Sequence, residues 1–120
     1  METDQAYYRR KKAFKGWKRK RKAILSVIDK DLNEFYGQTS RSLKKFIGDR
    51  ISVAGQALTP QEIDQKLGTL NISKDLRRHL QEILQTLEKG AFGALHQNTD
   101  ERKDLLKDVE KVINQLLRKI

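Results

Sequence analysis

Apolar residues recur at steps of three and four along almost the whole chain, and that spacing excludes most of fold space. After Ser73 they are Leu76, Leu80, Ile83, Leu84 and Leu87; after Asn98 they are Leu105, Leu106, Val109, Val112, Ile113, Leu116, Leu117 and Ile120. A helix turns once every 3.6 residues, so positions spaced this way share one stripe. A half-buried strand would need strict alternation, and no convincing stretch of it occurs. A single proline and 35% charged residues favour helix over sheet as well. With 37% hydrophobic residues, 120 positions fit one domain with a modest core.

The stripes are bounded by start and stop signals. The first runs from about Ala6 to Ile28 through Phe14, Trp17, Ile24, Leu25 and Ile28. Asp31 is placed to cap a second helix carrying Leu32, Phe35, Tyr36, Leu43, Phe46, Ile47 and Ile51. Gly37 lies inside that pattern at a cost of roughly 1 kcal/mol relative to Ala, which a close helix crossing would explain. "SVAGQAL" breaks the periodicity, and "TPQE" restarts it: Thr59 as N-cap, Pro60 at the first helical position, Glu62 reaching back in a capping box. The third helix carries Ile63 and Leu67 and is expected to stop at Gly68. Ser73 caps the fourth, which ends near Gly90; "GAFGALHQN" forms a loop; Asn98 or Thr99 caps the fifth. The last helix has Asp100, Glu101 and Asp104 near its positive start and Arg118 and Lys119 at its negative end. The expected fold is all-α: a compact bundle of about five helices with a basic N-terminal helix.

Charge divides the chain unevenly. Residues 1–23 hold ten Lys and Arg against Glu2 and Asp4, a balance of +8, while residues 24–120 hold sixteen against fourteen acids, a balance of +2. The expected organisation is therefore a basic segment over 1–22, opening the first helix, and a bundle domain over 23–120. The cations are Arg9, Arg10, Lys11, Lys12, Lys15, Lys18, Arg19, Lys20, Arg21 and Lys22, interleaved with Tyr7, Tyr8, Phe14 and Trp17. Such a segment suits an anionic membrane surface or a nucleic acid. Tyr7 and Tyr8, directly followed by Arg9, Arg10, Lys11 and Lys12, stand in the order expected just past the cytoplasmic end of a membrane span. On that reading the chain is a piece of a longer one, and Tyr7, Tyr8 and Trp17 are its interfacial aromatics, although Trp17 shares the stripe of Ile24 and Ile28 and so is also placed to cover the bundle. No stretch of the chain itself approaches the eighteen or so apolar residues a spanning helix needs.

Catalytic constellations are hard to find. There is no cysteine, and His79 and His96 lie outside any HExxH spacing. The carboxylates Asp100, Glu101, Asp104, Asp108 and Glu110 alternate with Lys103, Lys107 and Lys111 as on a solvated helix face. Neither GxxxxGK[ST] nor GxGxxG occurs. No enzymatic activity, metal or cofactor is expected. The layout of the third and fourth helices loosely matches a helix-turn-helix, in which Lys74, Arg77, Arg78 and Gln81 would face nucleic acid. A small nucleic-acid-binding domain with a basic arm is thus the alternative function.

Taken in order, "DLNEFYGQTSRSLKKFIGDRIS", "ALTPQEIDQKLGTLNIS" and "LRRHLQEILQTLEKGAFG", closed by a helix after "NTDER", resemble the C-terminal region of the BatD family of bacterial proteins linked to oxygen tolerance and envelope stress. Phe35, Tyr36, Ser40, Leu43, Phe46, Ile47 and Ile51 match its first element. Leu58, Thr59, Ile63, Leu67 and Ile72 match the second, and Leu80, Leu84, Glu88 and Phe92 the third, covering residues 10–120 or so. The resemblance implies a non-enzymatic scaffold or adaptor on the cytoplasmic side of the bacterial inner membrane, within a single-span protein. It further implies partners of the von Willebrand A and MoxR-type AAA+ classes.

Overall fold

A computed structural model describes residues 4–51 and 58–120, with the backbone alone at residues 4–7, 9 and 10. Among the described residues there are five helices and no strand: α1 (Asp4–Val27), α2 (Leu32–Arg50), α3 (Pro60–Thr69), α4 (Lys74–Ala91) and α5 (Thr99–Lys119). The break expected over "SVAGQAL" falls mostly on residues 52–57, outside the described part.

Helix starts follow the side chains that satisfy orphan N–H groups. Asp31 accepts from the Glu34 N–H, Thr59 and Glu62 form a capping box, and Ser73 accepts from the Leu76 N–H. Asn98, not Thr99, caps α5 and forms a capping box with Glu101. The stops differ from expectation at α3. Gly68 lies within the helix, and the chain turns at Asn71, whose φ of 62° puts a non-glycine residue in the left-handed region. The Ile72 N–H reaches the Leu67 carbonyl and the Asn71 N–H the Gly68 carbonyl, both at 3.1 Å, while Ile72 and Leu67 are buried. This is a Schellman ending with its apolar contact, and asparagine serves where glycine is more usual. α4 ends at Ala91, next to Gly90 as expected, and the chain turns at Gly93, φ 77°.

α2 is the central element. It packs against α1, α4 and α5, and α4 in turn carries α3 and meets α5. Phe35, Tyr36, Leu43, Phe46 and Ile47 are essentially fully buried along α2. The crossing expected at Gly37 occurs elsewhere. A Cβ on Gly37 would meet only the flexible Arg41 guanidinium, whereas one on Gly90 would collide with Cγ, Cδ1 and Cδ2 of the Tyr36 ring. Gly90 is therefore where α4 approaches α2. The core also reaches back into the basic segment, because Ala13 and Trp17 belong to the same buried cluster as Ile24 and Ile28. The radius of gyration is 14.1 Å, about what a globule of this length requires.

Candidate anionic-surface interface

α1 owes its helical state to its buried stripe. Residues 5–28 contain no acidic side chain, and like charges three and four residues apart repel. Ala13, Trp17, Ile24 and Ile28 supply the compensation by burying one narrow sector against the bundle. At about 100° per residue, the opposite side carries Lys11, Lys12, Lys15, Lys18, Arg19 and Lys22, all exposed. Lys11, Lys15, Lys18 and Lys22 follow a four-three-four spacing and form one ridge about 16 Å long. Tyr8 stands on the same crest and is 57% exposed.

Lys12 Nζ lies 5.9 Å from the Tyr8 ring centroid and Lys18 Nζ 4.5 Å from that of Phe14, within cation–π range. Arg21 pairs with Glu110 of α5 at 2.5 Å. Lys12, Lys15, Lys18, Arg19, Lys20 and Lys22 form no ion pair with any described residue.

Among the side chains described, the acidic groups near this crest stand on its flanks. On the α5 side a cleft of about 300 Å³ is lined by Phe14, Lys18, Lys22 and the Arg21–Glu110 pair. On the α2 side Lys20 shares one cleft with Glu34 and another with Asp49. From Lys11 to Lys22, α1 thus presents a cationic ridge between two margins of mixed charge.

Trp17 does not serve as an interfacial aromatic. It is 3% exposed, at the centre of the buried stripe, because its angular position is fixed by Ala13, Ile24 and Ile28 on the same helix. Among the aromatics expected at the interface, Tyr8 is on the crest, while the side chains of Tyr7, Arg9 and Arg10 lie outside the described residues. Lys20 and Arg21 are exposed but belong to the flanks.

The residues expected on a reading helix divide in two. Lys74 and Arg78 are exposed. Arg77 pairs with Asp64 at 3.3 Å and donates to the Ile72 carbonyl, and Gln81 donates to the Pro60 carbonyl at 2.8 Å. Arg77 and Gln81 thus pin α3 to α4. His79 lies 3.9 Å from Glu82, and no group of three or more potential metal ligands occurs among the described residues. No described helix is long and apolar enough to cross a membrane. Phe92, the last residue of the matched pattern, is 86% exposed.

Sequence reasoning missed Arg102, which is 6% exposed. Its guanidinium donates to the Ile28 carbonyl at 2.7 Å, to the Gln97 carbonyl, to Asp29 at 3.0 Å and to the Thr99 hydroxyl at 3.2 Å. A cation thereby closes the carbonyl end of α1 and ties it to the start of α5. Thr99 donates to Asp29 at 2.5 Å; that hydroxyl, followed by Arg102, holds the Asp29 carboxyl below its ordinary range. Tyr36 donates to Gln97 at 2.6 Å, and burial pushes its phenol above the usual tyrosine value. The signal was present: Arg102 sits three, four and seven residues before Leu105, Leu106 and Val109, on the apolar stripe itself.

The chain matches no family model, no curated protein and no solved structure.

Proposed function

We propose that this chain is a non-enzymatic, membrane-proximal scaffold domain whose α1 crest rests on an anionic bilayer while the remaining helices hold a protein partner. The observation that carries this reading is the crest itself: six exposed cations and Tyr8 on one side of a helix with no acid from residue 5 to residue 28. Each lysine or arginine brought to an anionic lipid surface contributes on the order of 1 kcal/mol. Tyrosine suits the headgroup zone, where its ring and hydroxyl are both accommodated.

The flanks favour a plane over a groove. A duplex wraps an inserted helix and brings phosphates to its sides, where Glu110, Glu34 and Asp49 already occupy the flank cations Arg21, Arg41 and Lys45. A bilayer touches only the crest. The resemblance to the BatD family extends the proposal: a cytoplasmic helical domain of a single-span protein at the bacterial inner membrane, acting in oxygen tolerance or envelope stress. Its partners would be of the von Willebrand A or MoxR-type AAA+ class.

Co-sedimentation with vesicles of phosphatidylglycerol and phosphatidylcholine, against vesicles of phosphatidylcholine alone, tests the reading, with duplex DNA as competitor. The expected result is binding to the anionic vesicles only, weakened by salt and poorly displaced by DNA. Tighter binding to duplex than to lipid, with a steep salt dependence, would replace this function with nucleic-acid binding.

A further inference from the structure

We infer that the domain docks side-on, with α1 lying along the bilayer plane rather than standing on its N-terminal end. The inference rests on the membrane reading above and adds the geometry of contact. A helix rises 1.5 Å per residue, so in an upright α1 Lys11 would stand about 10 Å from the level of Asp4 and Lys22 about 27 Å from it. The field of an anionic surface decays over about 8 Å at physiological salt. Lys18, Arg19 and Lys22 would then lie more than two such lengths away and contribute almost nothing.

Those distal cations are nevertheless arranged like the proximal ones. Lys18 and Lys22 continue the ridge of Lys11 and Lys15, Arg19 follows Lys12 two turns on, and all are exposed. Upright docking would leave half the ridge idle and mutually repulsive. Laid flat, the ridge and Tyr8 reach the headgroups at one height. Between Lys22 and the end of α1, the exposed positions Ala23, Leu25 and Ser26 carry no charge. Because α1 packs on α2 and α2 on α4, side-on docking orders the molecule as bilayer, α1, α2, then α4 with α3.

Two triple variants with the same change in charge separate the geometries: Lys11→Gln with Lys12→Gln and Lys15→Gln, and Lys18→Gln with Arg19→Gln and Lys22→Gln. Partitioning onto phosphatidylglycerol-containing vesicles is measured for both beside the unaltered chain. Side-on docking predicts that each triple loses affinity by on the order of a hundredfold, and by similar factors. If the distal triple binds like the unaltered chain while the proximal one loses affinity, the helix stands upright and the inference is overturned. If both triples keep full affinity, α1 is not the contact. If the unaltered chain ignores anionic vesicles, the membrane reading itself fails.

The native chain has no cysteine, so Lys12→Cys and Ser26→Cys supply an independent readout through attached fluorophores. Side-on docking places both within reach of a headgroup quencher; quenching at residue 12 alone would overturn it.

Discussion

At the scale of single residues, two glycines on helices should respond in opposite ways to the same substitution. Gly16→Ala adds a methyl where no heavy atom lies within 4 Å, so the gain is that of a better helix former, roughly 0.5–1 kcal/mol. Gly90→Ala gains the same propensity but drives its methyl into the buried Tyr36 ring. Overpacking of that kind should produce a net loss of roughly 1–3 kcal/mol. Urea denaturation of the two variants reads both signs. Arg102→Met should cost about 2–4 kcal/mol, because the Ile28 and Gln97 carbonyls lose their donor. Arg102→Lys should not restore it, since an ammonium lacks the guanidinium fork. Asp29 predicts an acid limb. Its folded pKa is lowered, first by Thr99, so its contribution is present above the unfolded value of about 3.9 and lost as pH falls through the folded one. Stability measured from neutral to acid pH should fall less steeply in Asp29→Asn than in the unaltered chain.

At the scale of elements, α3 is the dependent one. It spans ten residues and buries only Ile63 and Leu67, and a helix that short does not persist alone. Arg77 and Gln81 hold it on α4. The pair Arg77→Ala and Gln81→Ala should therefore speed amide exchange across α3 by roughly tenfold or more, with α2 and α5 unaffected. Equal acceleration in all helices would mean that α3 opens only with the whole fold. Legibility in sequence differed sharply between helix starts and helix interiors. Asp31, Thr59 with Glu62, and Ser73 act within three residues of themselves, so their roles were readable. Arg77 and Gln81, placed among surface-type neighbours, looked free for recognition until α3 was seen against them.

At the scale of the molecule, a net charge of +10, of which residues 1–23 carry +8, works against its own compact state. Salt that screens α1 against itself should raise the melting temperature between low and moderate ionic strength. The distal triple variant should show a smaller rise. A melting temperature indifferent to salt in the unaltered chain would mean that the buried stripe outweighs the repulsion completely. The charge asymmetry was visible in the sequence, and so was its helical setting. The division into a ridge of cations from Lys11 to Lys22 and flanks that also hold acids was not, because Glu110 and Asp49 come from distant parts of the chain.

Local spacing was enough to read the helical class, the caps of α2, α3 and α4 and the apolar stripe of each helix, because those depend on groups within about four residues of one another. The packing of the helices settled the rest: that Gly90 rather than Gly37 is the point of approach, and that Arg102 joins the end of α1 to the start of α5. Each of these joins residues far apart in sequence, where local spacing carries no information about which surfaces meet.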